Sequence, residues 1–230
     1  MSKNSLITSA LKSLTPFQWA EVLAISAISV YFALTDTEAP PVLNIISTAA
    51  AICGVLCVIL CAAGKRSQYY WGFANIILYV IVSYSNNLYG EVMLNALYYL
   101  PTQLIGLHRW KKNISEENGL VKIRRLKPSS TMLIIAATAA GTVLYRFLLM
   151  SIGGASPWLD SLSTVVSVTA NALMIMRYRE QYILWLIVNA VSVIMWARNG
   201  DPIMTAMWAI YLFNSFYGYI NWGKLSKQPR

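Results

Sequence analysis

From residue 17 to residue 221 the chain alternates long apolar stretches with short polar interruptions. A helix rises 1.5 Å per residue, so about 20 mostly apolar residues cross ~30 Å of hydrocarbon. Eight stretches meet that length: 17–35, 43–63, 69–87, 91–108, 131–151, 157–177, 181–197 and 203–221. The pattern predicts an all-α integral membrane protein with about eight transmembrane helices. The longest interruption, roughly 109–130, leaves no room for a soluble domain of useful size. The opening segment, "MSKNSLITSALKSLTPFQWAEV", lacks a short apolar core followed by a small-residue cleavage site. The first apolar stretch is therefore read as a retained helix and not a signal peptide.

Polar and aromatic positions inside these stretches recur. "RSQYYWGFANIILYVIVSYSNNLYGEVMLNALYYLPTQLIGLHRW", residues 66–110, resembles "REQYILWLIVNAVSVIMWARNGDPIMTAMWAIYLFNSFYGYINW", residues 179–222. Each opens with Arg-x-Gln-Tyr and continues with Trp-x-x-x-Asn, as Trp71 and Asn75 in one copy and Trp185 and Asn189 in the other. Each then passes a short turn with an acid, Glu91 or Asp201. Each closes with Tyr, Gly and Trp at i, i+7 and i+11: Tyr99, Gly106, Trp110 against Tyr211, Gly218, Trp222. That spacing keeps one helical face. Both copies start from the same side, so the repeat is parallel. With the preceding span added, three-helix units arise at 43–108 and 157–221, joined by the span 131–151, while 17–35 stands outside. Parallel repeats related by an axis along the membrane normal are a transporter architecture, with the solute site near the midplane between them. The organisation expected is an N-terminal cytoplasmic segment and extra helix (1–38), a first bundle (43–110), a basic loop with linker helix (111–153), a second bundle (157–222) and a tail (223–230).

Composition agrees: 57% of residues are hydrophobic and 12% charged, against roughly 45–50% and about 25% in soluble domains. The net charge of +9 is unevenly spread. One side holds Lys3, Lys12, Lys65, Arg66, Arg109, Lys111, Lys112, Lys122, Arg124, Arg125, Lys127, Arg177, Arg179, Lys224, Lys227 and Arg230. The opposite loops hold Arg198 with the acids Asp36, Glu38, Glu91 and Asp201. By the excess of Lys and Arg in cytoplasmic segments, both termini face the cytoplasm. The basic residues are thus a topology signal, and the expected partner is the lipid bilayer, not nucleic acid. Cys53, Cys57 and Cys61 at i, i+4, i+8 come with no His or carboxylate, so they read as a helix contact rather than a metal stripe. No metal and no cofactor is expected, and no clustered His, carboxylate pair or activated nucleophile suggests an enzyme.

Candidate site residues follow from depth and face. Gln68, Trp71 and Asn75 fall at i, i+3, i+7 on the third span. Gln181, Trp185 and Asn189 fall at i, i+4, i+8 on the seventh, with Ser192 and Trp196 continuing the stripe. The fourth span offers Tyr99 and Gln103, the eighth Tyr211, Asn214 and Ser215. Trp110 and Trp222 lie beside cytoplasmic charges and are assigned to the interfacial aromatic belt. Gln68 and Gln181 suit belt or gate equally. Asn75 and Asn189 lie deeper, where amides face a cavity or act as glue between helices. Such a pocket carries almost no formal charge: Glu21 and Asp160 are near span ends, and Arg146 can snorkel outward. Neither repeat shows a deep carboxylate, which disfavours an ion-coupled pump. Neutral amides suit sugar hydroxyls and a carboxamide, and the rings suit a flat heterocycle, above all a cationic one. The solute class is nucleoside-like or vitamin-like.

Over roughly residues 43–222 the chain resembles the PnuC family of bacterial nicotinamide riboside transporters. The resemblance rests on Trp71-Gly72 with Tyr99-x-Pro101-x-Gln103-x-x-Gly106, together with Trp185-x-x-x-Asn189. It implies a SWEET-like fold of two triple-helix bundles joined by a linker helix, often with an additional N-terminal helix. It also implies a homotrimer in the cytoplasmic (inner) membrane. The activity implied is facilitated diffusion of nicotinamide riboside, trapped inside by a cytosolic kinase. By resemblance Trp185, Asn189, Gln103 and Tyr99 contact the solute. Trp71 and Asn75 are added as their repeat mates, and Tyr211, Asn214, Gln68 and Gln181 complete the candidate set. The family often has an aromatic residue just before the seventh-span Trp, where this chain has Ile183 and Leu184. Pro101 removes the bond to the Leu97 carbonyl and is a candidate hinge or a structural kink. The second copy has Phe213 there. A carrier of thiamine, riboflavin or a deoxynucleoside, and last a non-transporting scaffold, are the competing readings.

Overall fold

The structure, a computed structural model, describes residues 14–35, 40–151 and 157–227. Lys3, Lys12, Asp36, Glu38 and Arg230, and the side chain of Asp160, lie outside the described residues. Helix α1 spans Pro16–Thr35, α2 Pro41–Ala62 and α3 Gln68–Ser85. Helix α4 is built of three consecutive segments: α-helical Tyr89–Met93, π-helical Leu94–Tyr99 and α-helical Leu100–Lys111. Helix α5 spans Pro128–Ser151, α6 Pro157–Ile175, α7 Gln181–Arg198 and α8 Pro202–Leu225. Among the described residues there are no strands, and the isolated bridges are Ile114 to Val121 and Arg124 to Tyr178. A helix therefore lies at each apolar stretch read from the sequence.

Local chemistry sets the boundaries. Proline, whose fixed φ suits a first helical turn and whose missing N–H is not needed there, opens α2 at Pro41 and α8 at Pro202. At α8 the Asp201 carboxylate also accepts from the Met204 backbone N–H at 2.9 Å. The ends of the helices repeat between the two copies. In the register set by Arg66-x-Gln68-Tyr69 and Arg179-x-Gln181-Tyr182, Gly64 pairs with Arg177 and Asn87 with Gly200. These four take left-handed φ values of 71°, 65°, 57° and 76°. The residue after each closes the turn with a backbone bond five residues back: Lys65 to Leu60, Tyr178 to Leu173, Leu88 to Ser83 and Asp201 to Trp196.

Packing follows the same order. Helix α3 packs on α2 and α4, and α7 packs on α6 and α8. Contacts between the copies are α2 on α8 and α4 on α6, the pattern that an approximate two-fold axis between them produces. Helix α1 leans on α2 and α8 through a stripe of Gln18, Glu21, Ile25 and Ser29, and α5 leans on α6. The Gln18 amide donates to the Ile59 carbonyl at 3.2 Å.

Large apolar side chains point outward. Leu34, Leu97, Met132, Leu133 and Leu144 are each at least 70% exposed, and α5 buries Thr142 alone among its described side chains. Pro16–Thr35, Pro41–Ala62, Pro128–Ser151 and Gln181–Arg198 are long and apolar enough to cross a bilayer, and Ser161–Ile175 is a shorter apolar helix. So extended an apolar surface is a lipid- or partner-facing one. The basic residues gather at one end, where the 112–127 loop folds onto the helix ends. The Arg125 guanidinium donates to the Gly223 carbonyl at 2.9 Å and to the Ser226 hydroxyl at 2.7 Å. The Val121 and Ile123 side chains are buried beneath it.

Candidate functional site

A cavity of about 140 Å³ lies between the two copies, room for about ten water-sized spheres. Helices of both copies line it. Helix α3 contributes Gln68, Asn75 and Tyr79; α4 contributes Glu91, Asn95, Tyr99 and Gln103; α6 contributes Ser163, Ser167 and Asn171. Helix α7 contributes Gln181, Trp185, Asn189 and Ser192, and α8 contributes Trp208, Tyr211, Asn214 and Ser215. Nine of the ten candidate solute-contacting residues read from the sequence meet at this wall.

Trp71, the tenth, does not. It is half-buried and packs against the apolar core formed by α2 and its neighbours. Matching Trp-x-x-x-Asn between the copies shifts the register by one residue from the Arg-x-Gln-Tyr anchor, and one residue turns a helix by about 100°. In the anchored register the mate of Trp185 is Gly72. A Cβ on Gly72 would lie 2.9 Å from the Gln103 amide nitrogen and 3.1 Å from Cys57 Sγ. Where one half has an indole, the other half thus has a glycine whose space is filled by the Gln103 amide. Across the cavity Trp185 sits with its ring 6.4 Å from that of Tyr99, tilted by 40°.

The polar atoms of this wall are incompletely paired. The Ser215 hydroxyl spends its proton on the Tyr211 carbonyl at 2.8 Å, so Asn189 must present its amide nitrogen to Ser215, at 2.9 Å. That leaves Asn189 Oδ1 buried without a partner. By the same logic the Trp185 indole donates to Gln181 Oε1 at 3.2 Å and Asn214 Nδ2 donates to the Val58 carbonyl at 3.0 Å. Gln181 Nε2 and Asn214 Oδ1 are then unpaired. Gln68 accepts from the Cys57 thiol at 3.2 Å, leaving Nε2 unpaired, as are Gln103 Oε1 and Trp208 Nε1. Three donors and three acceptors therefore converge without partners on one cavity. Buried polar groups are ordinarily hydrogen-bonded, so this set could receive the polar groups of a ligand. Asn75 is different: its Nδ2 donates to the Ala50 carbonyl at 2.9 Å and ties α3 to α2.

Helix α4 reaches the cavity with residues four apart: Glu91, Asn95, Tyr99 and Gln103. On a regular helix each such step drifts by about 40°. The wider π-helical turn at Leu94–Tyr99 offsets that drift and ends just before Pro101, which lacks a donor for the carbonyl four residues back. Irregular backbone and proline thus coincide beside the cavity wall.

Aromatic clusters stand at both ends of the helices around the cavity. At the basic end the Trp110 indole donates to the Met174 carbonyl at 3.1 Å and the Trp222 indole donates to the Cys61 carbonyl at 2.9 Å. Cys61 and Met174 are equivalent positions on α2 and α6, so each copy's last helix is pinned to the first helix of the other. Tyr69 stands edge-on to Trp110 at 5.2 Å and Tyr182 edge-on to Trp222 at 5.3 Å, and the two indoles lie 5.8 Å apart. Gly106 and Gly218 admit those tyrosines, since a Cβ at either would overlap the Tyr69 or Tyr182 ring. The interfacial-belt assignment of Trp110 and Trp222 is corrected: both are fully buried. Adjacent charges in sequence suggested an interface, but the Tyr–Gly notch draws the rings inward. At the other end Trp196 donates to the Tyr79 hydroxyl at 2.8 Å, and Asn199 donates to its repeat mate Asn86 at 2.9 Å.

A second correction concerns charge. Glu91, read as a turn acid, lines the cavity. Its Oε2 accepts from the Tyr79 hydroxyl at 3.3 Å and from Asn95 Nδ2 at 3.5 Å. Glu21, read as lying near a span end, is buried in α1 with both carboxylate oxygens unpaired. Sequence reasoning also passed over Asn95, Asn171 and Trp208. Asn171 donates to the Thr102 hydroxyl at 3.0 Å and so joins α6 to α4; its repeat mate is Val58, which hid it. The four-residue rhythm of Glu91, Asn95, Tyr99 and Gln103 was the available signal. Among the described residues no cluster of three or more His, Cys, Asp or Glu is placed to hold a metal ion.

Known proteins resemble this chain over most of its length. Residues 44–224 match the model of a family described as nicotinamide mononucleotide transporter. The chain is similar to the nicotinamide riboside transporter PnuC of Neisseria mucosa, 42% identical over 194 residues that cover 80% of this chain and 73% of that protein. It is similar to the protein of the same name from Haemophilus influenzae, 36% identical over 217 residues covering 93% and 92% of the two chains. In three dimensions it resembles a solved structure described as the crystal structure of the vitamin B3 transporter PnuC. The TM-score is 0.86 and the identity 36%, over 98% of this chain and 99% of that one.

Proposed function

Because the chain belongs to the nicotinamide mononucleotide transporter family, we propose that it carries nicotinamide riboside across the bacterial cytoplasmic membrane by alternating access. The observation that carries this reading is the set of unpartnered donors and acceptors around the Trp185 and Tyr99 rings. A pyridinium suits the rings, and a carboxamide and ribose hydroxyls suit the free amide atoms. The same wall favours the riboside over the mononucleotide, because its ionisable acid, Glu91, would repel a phosphate that Arg or Lys would otherwise hold.

Mechanistically the chain is a SWEET-like arrangement of about eight membrane crossings with both termini cytoplasmic. Units 43–110 and 157–222 rock about the chamber, 111–153 joins them, and 1–38 and 223–230 are appendages. The Trp110–Trp222 pair is the cytoplasmic seal, the Tyr79–Trp196 and Asn86–Asn199 bonds the outer one, and the π-helical turn with Pro101 the hinge. The assembly is a homotrimer. Transport is passive, and phosphorylation by a cytosolic kinase draws solute inward by removing the free riboside.

The test is uptake of labelled nicotinamide riboside by proteoliposomes, with nicotinamide mononucleotide, thiamine, riboflavin and deoxynucleosides as competitors. Uptake of the riboside that unlabelled riboside blocks and none of these competitors does supports the reading. Preferred uptake of thiamine, riboflavin or a deoxynucleoside reassigns the chamber, and preference for the mononucleotide overturns the charge argument.

A further inference from the structure

Glu91 is a carboxylate on the third residue of α4 that lines the chamber, and ionisable groups in such surroundings are usually functional. Among the described residues lining the chamber it is the one acidic or basic side chain; the rest are amides, hydroxyls, thiols, rings and apolar groups. The structure holds it in place from several sides. Asn95 donates to the Glu91 backbone carbonyl at 2.9 Å as well as to Oε2, and Tyr79, itself accepting from Trp196, donates to the same oxygen. Both described donors thus address Oε2. In the register that pairs Asn87 with Gly200 the equivalent position of the second copy is the buried apolar Met204, so this position carries a carboxylate in one half only.

We infer that Glu91 is a specificity-determining residue: its carboxylate selects a cationic solute, favouring the pyridinium form over uncharged or carboxylate-bearing relatives of the same shape. This inference rests on the reading of the chamber as a nicotinamide riboside site. Two turns of α4, roughly 12 Å of helix axis, separate Glu91 from Tyr99, so the carboxylate does not stack with the ring. It acts through the field. In a narrow cavity with low-dielectric walls one fixed charge attracts an oppositely charged solute and raises its local concentration on the order of tenfold.

Two solutes isolate that effect. Dihydronicotinamide riboside has the carboxamide and ribose of nicotinamide riboside but no ring charge, and nicotinic acid riboside keeps the charged ring and adds a carboxylate. KM and kcat for the three are to be measured in proteoliposomes for the native protein, Glu91→Gln and Glu91→Asp. The native protein is expected to favour the cation over both analogues by about tenfold in KM. Glu91→Gln should raise the KM of the cation about tenfold, leave that of the dihydro form unchanged and leave kcat within about twofold; Glu91→Asp should keep the preference. An undiminished preference in Glu91→Gln overturns the inference. If Glu91→Gln does not fold, ionic strength replaces it: in the native protein the KM of the cation rises with salt while that of the dihydro form does not, and equal responses overturn the assignment. A folded native protein that carries none of the three solutes sinks the nicotinamide riboside reading itself. Equal transport of all three sinks only the role of Glu91.

Discussion

Replacing Trp222 by Phe tests the crossed tryptophan seal. The indole nitrogen donates to the Cys61 carbonyl at 2.9 Å inside a fully buried cluster. Phe keeps an aromatic ring but loses the donor and part of the ring volume. The hydrogen bond contributes about 0.5–1.5 kcal/mol net, since Cys61 O keeps its bond from the Gly64 N–H at 2.9 Å. With some lost packing the closed state weakens by about 1.5 kcal/mol, which multiplies the open population about tenfold. Trp110→Phe is its mirror: the Met174 carbonyl likewise retains the Arg177 N–H at 2.9 Å, so the two variants should agree within about twofold. The double variant should fall short of a hundredfold, because rings 5.8 Å apart are coupled. Cys61, 6% exposed within this cluster, is a native reporter. In a Cys53→Ser, Cys57→Ser background, a membrane-impermeant thiol reagent applied to the cytoplasmic face should label Cys61 about ten times faster in either Phe variant. Unchanged labelling in both, or an effect confined to one, refutes the seal as a symmetric closure.

Other expectations follow from the same geometry. Asn189→Leu and Trp185→Ala should each weaken nicotinamide riboside binding by roughly 1–3 kcal/mol, read by calorimetry on purified protein, while Trp71→Leu, outside the chamber, should change affinity less than about threefold; the reverse order would restore Trp71 to the site. Gly106→Ala and Gly218→Ala should each destabilise by about 1–3 kcal/mol through overpacking against Tyr69 and Tyr182. Gly90→Ala, where a Cβ meets nothing within 4 Å, should leave the melting temperature level or higher, and equal losses at the three sites would discount the tyrosine notches. Pro101→Ala should slow uptake by restoring a regular helix beside the π-helical turn, and an unaltered rate removes the hinge.

Much of this was readable along the chain because hydrocarbon imposes a simple pattern. Apolar runs give the helices, and the Arg-x-Gln-Tyr and Tyr–Gly–Trp spacings give the repeat. The left-handed turns at Gly64 and Arg177 repeat it in three dimensions, although Arg gives no hint of such a φ. What stayed hidden depended on contacts distant in sequence. Trp110 and Trp222 lie beside charges in the chain, yet tertiary packing of Tyr69 and Tyr182 over two glycines draws them inside. Trp71 matches Trp185 in the Trp-x-x-x-Asn spacing, but one residue of register turns it away from the cavity. Glu91 read as a turn acid because its proximity to the wall depends on how α4 begins and widens. Asn171 lacked a polar mate in the first copy to draw notice.

The account depends most on the chamber admitting nicotinamide riboside to both sides of the membrane without a driving ion. Counterflow measures this directly: proteoliposomes preloaded with unlabelled riboside are diluted into labelled riboside, with and without proton or sodium gradients. The prediction is transient accumulation of label that is the same under every gradient and is lost in Asn189→Leu. No accumulation by folded protein, or accumulation that requires a gradient, contradicts it.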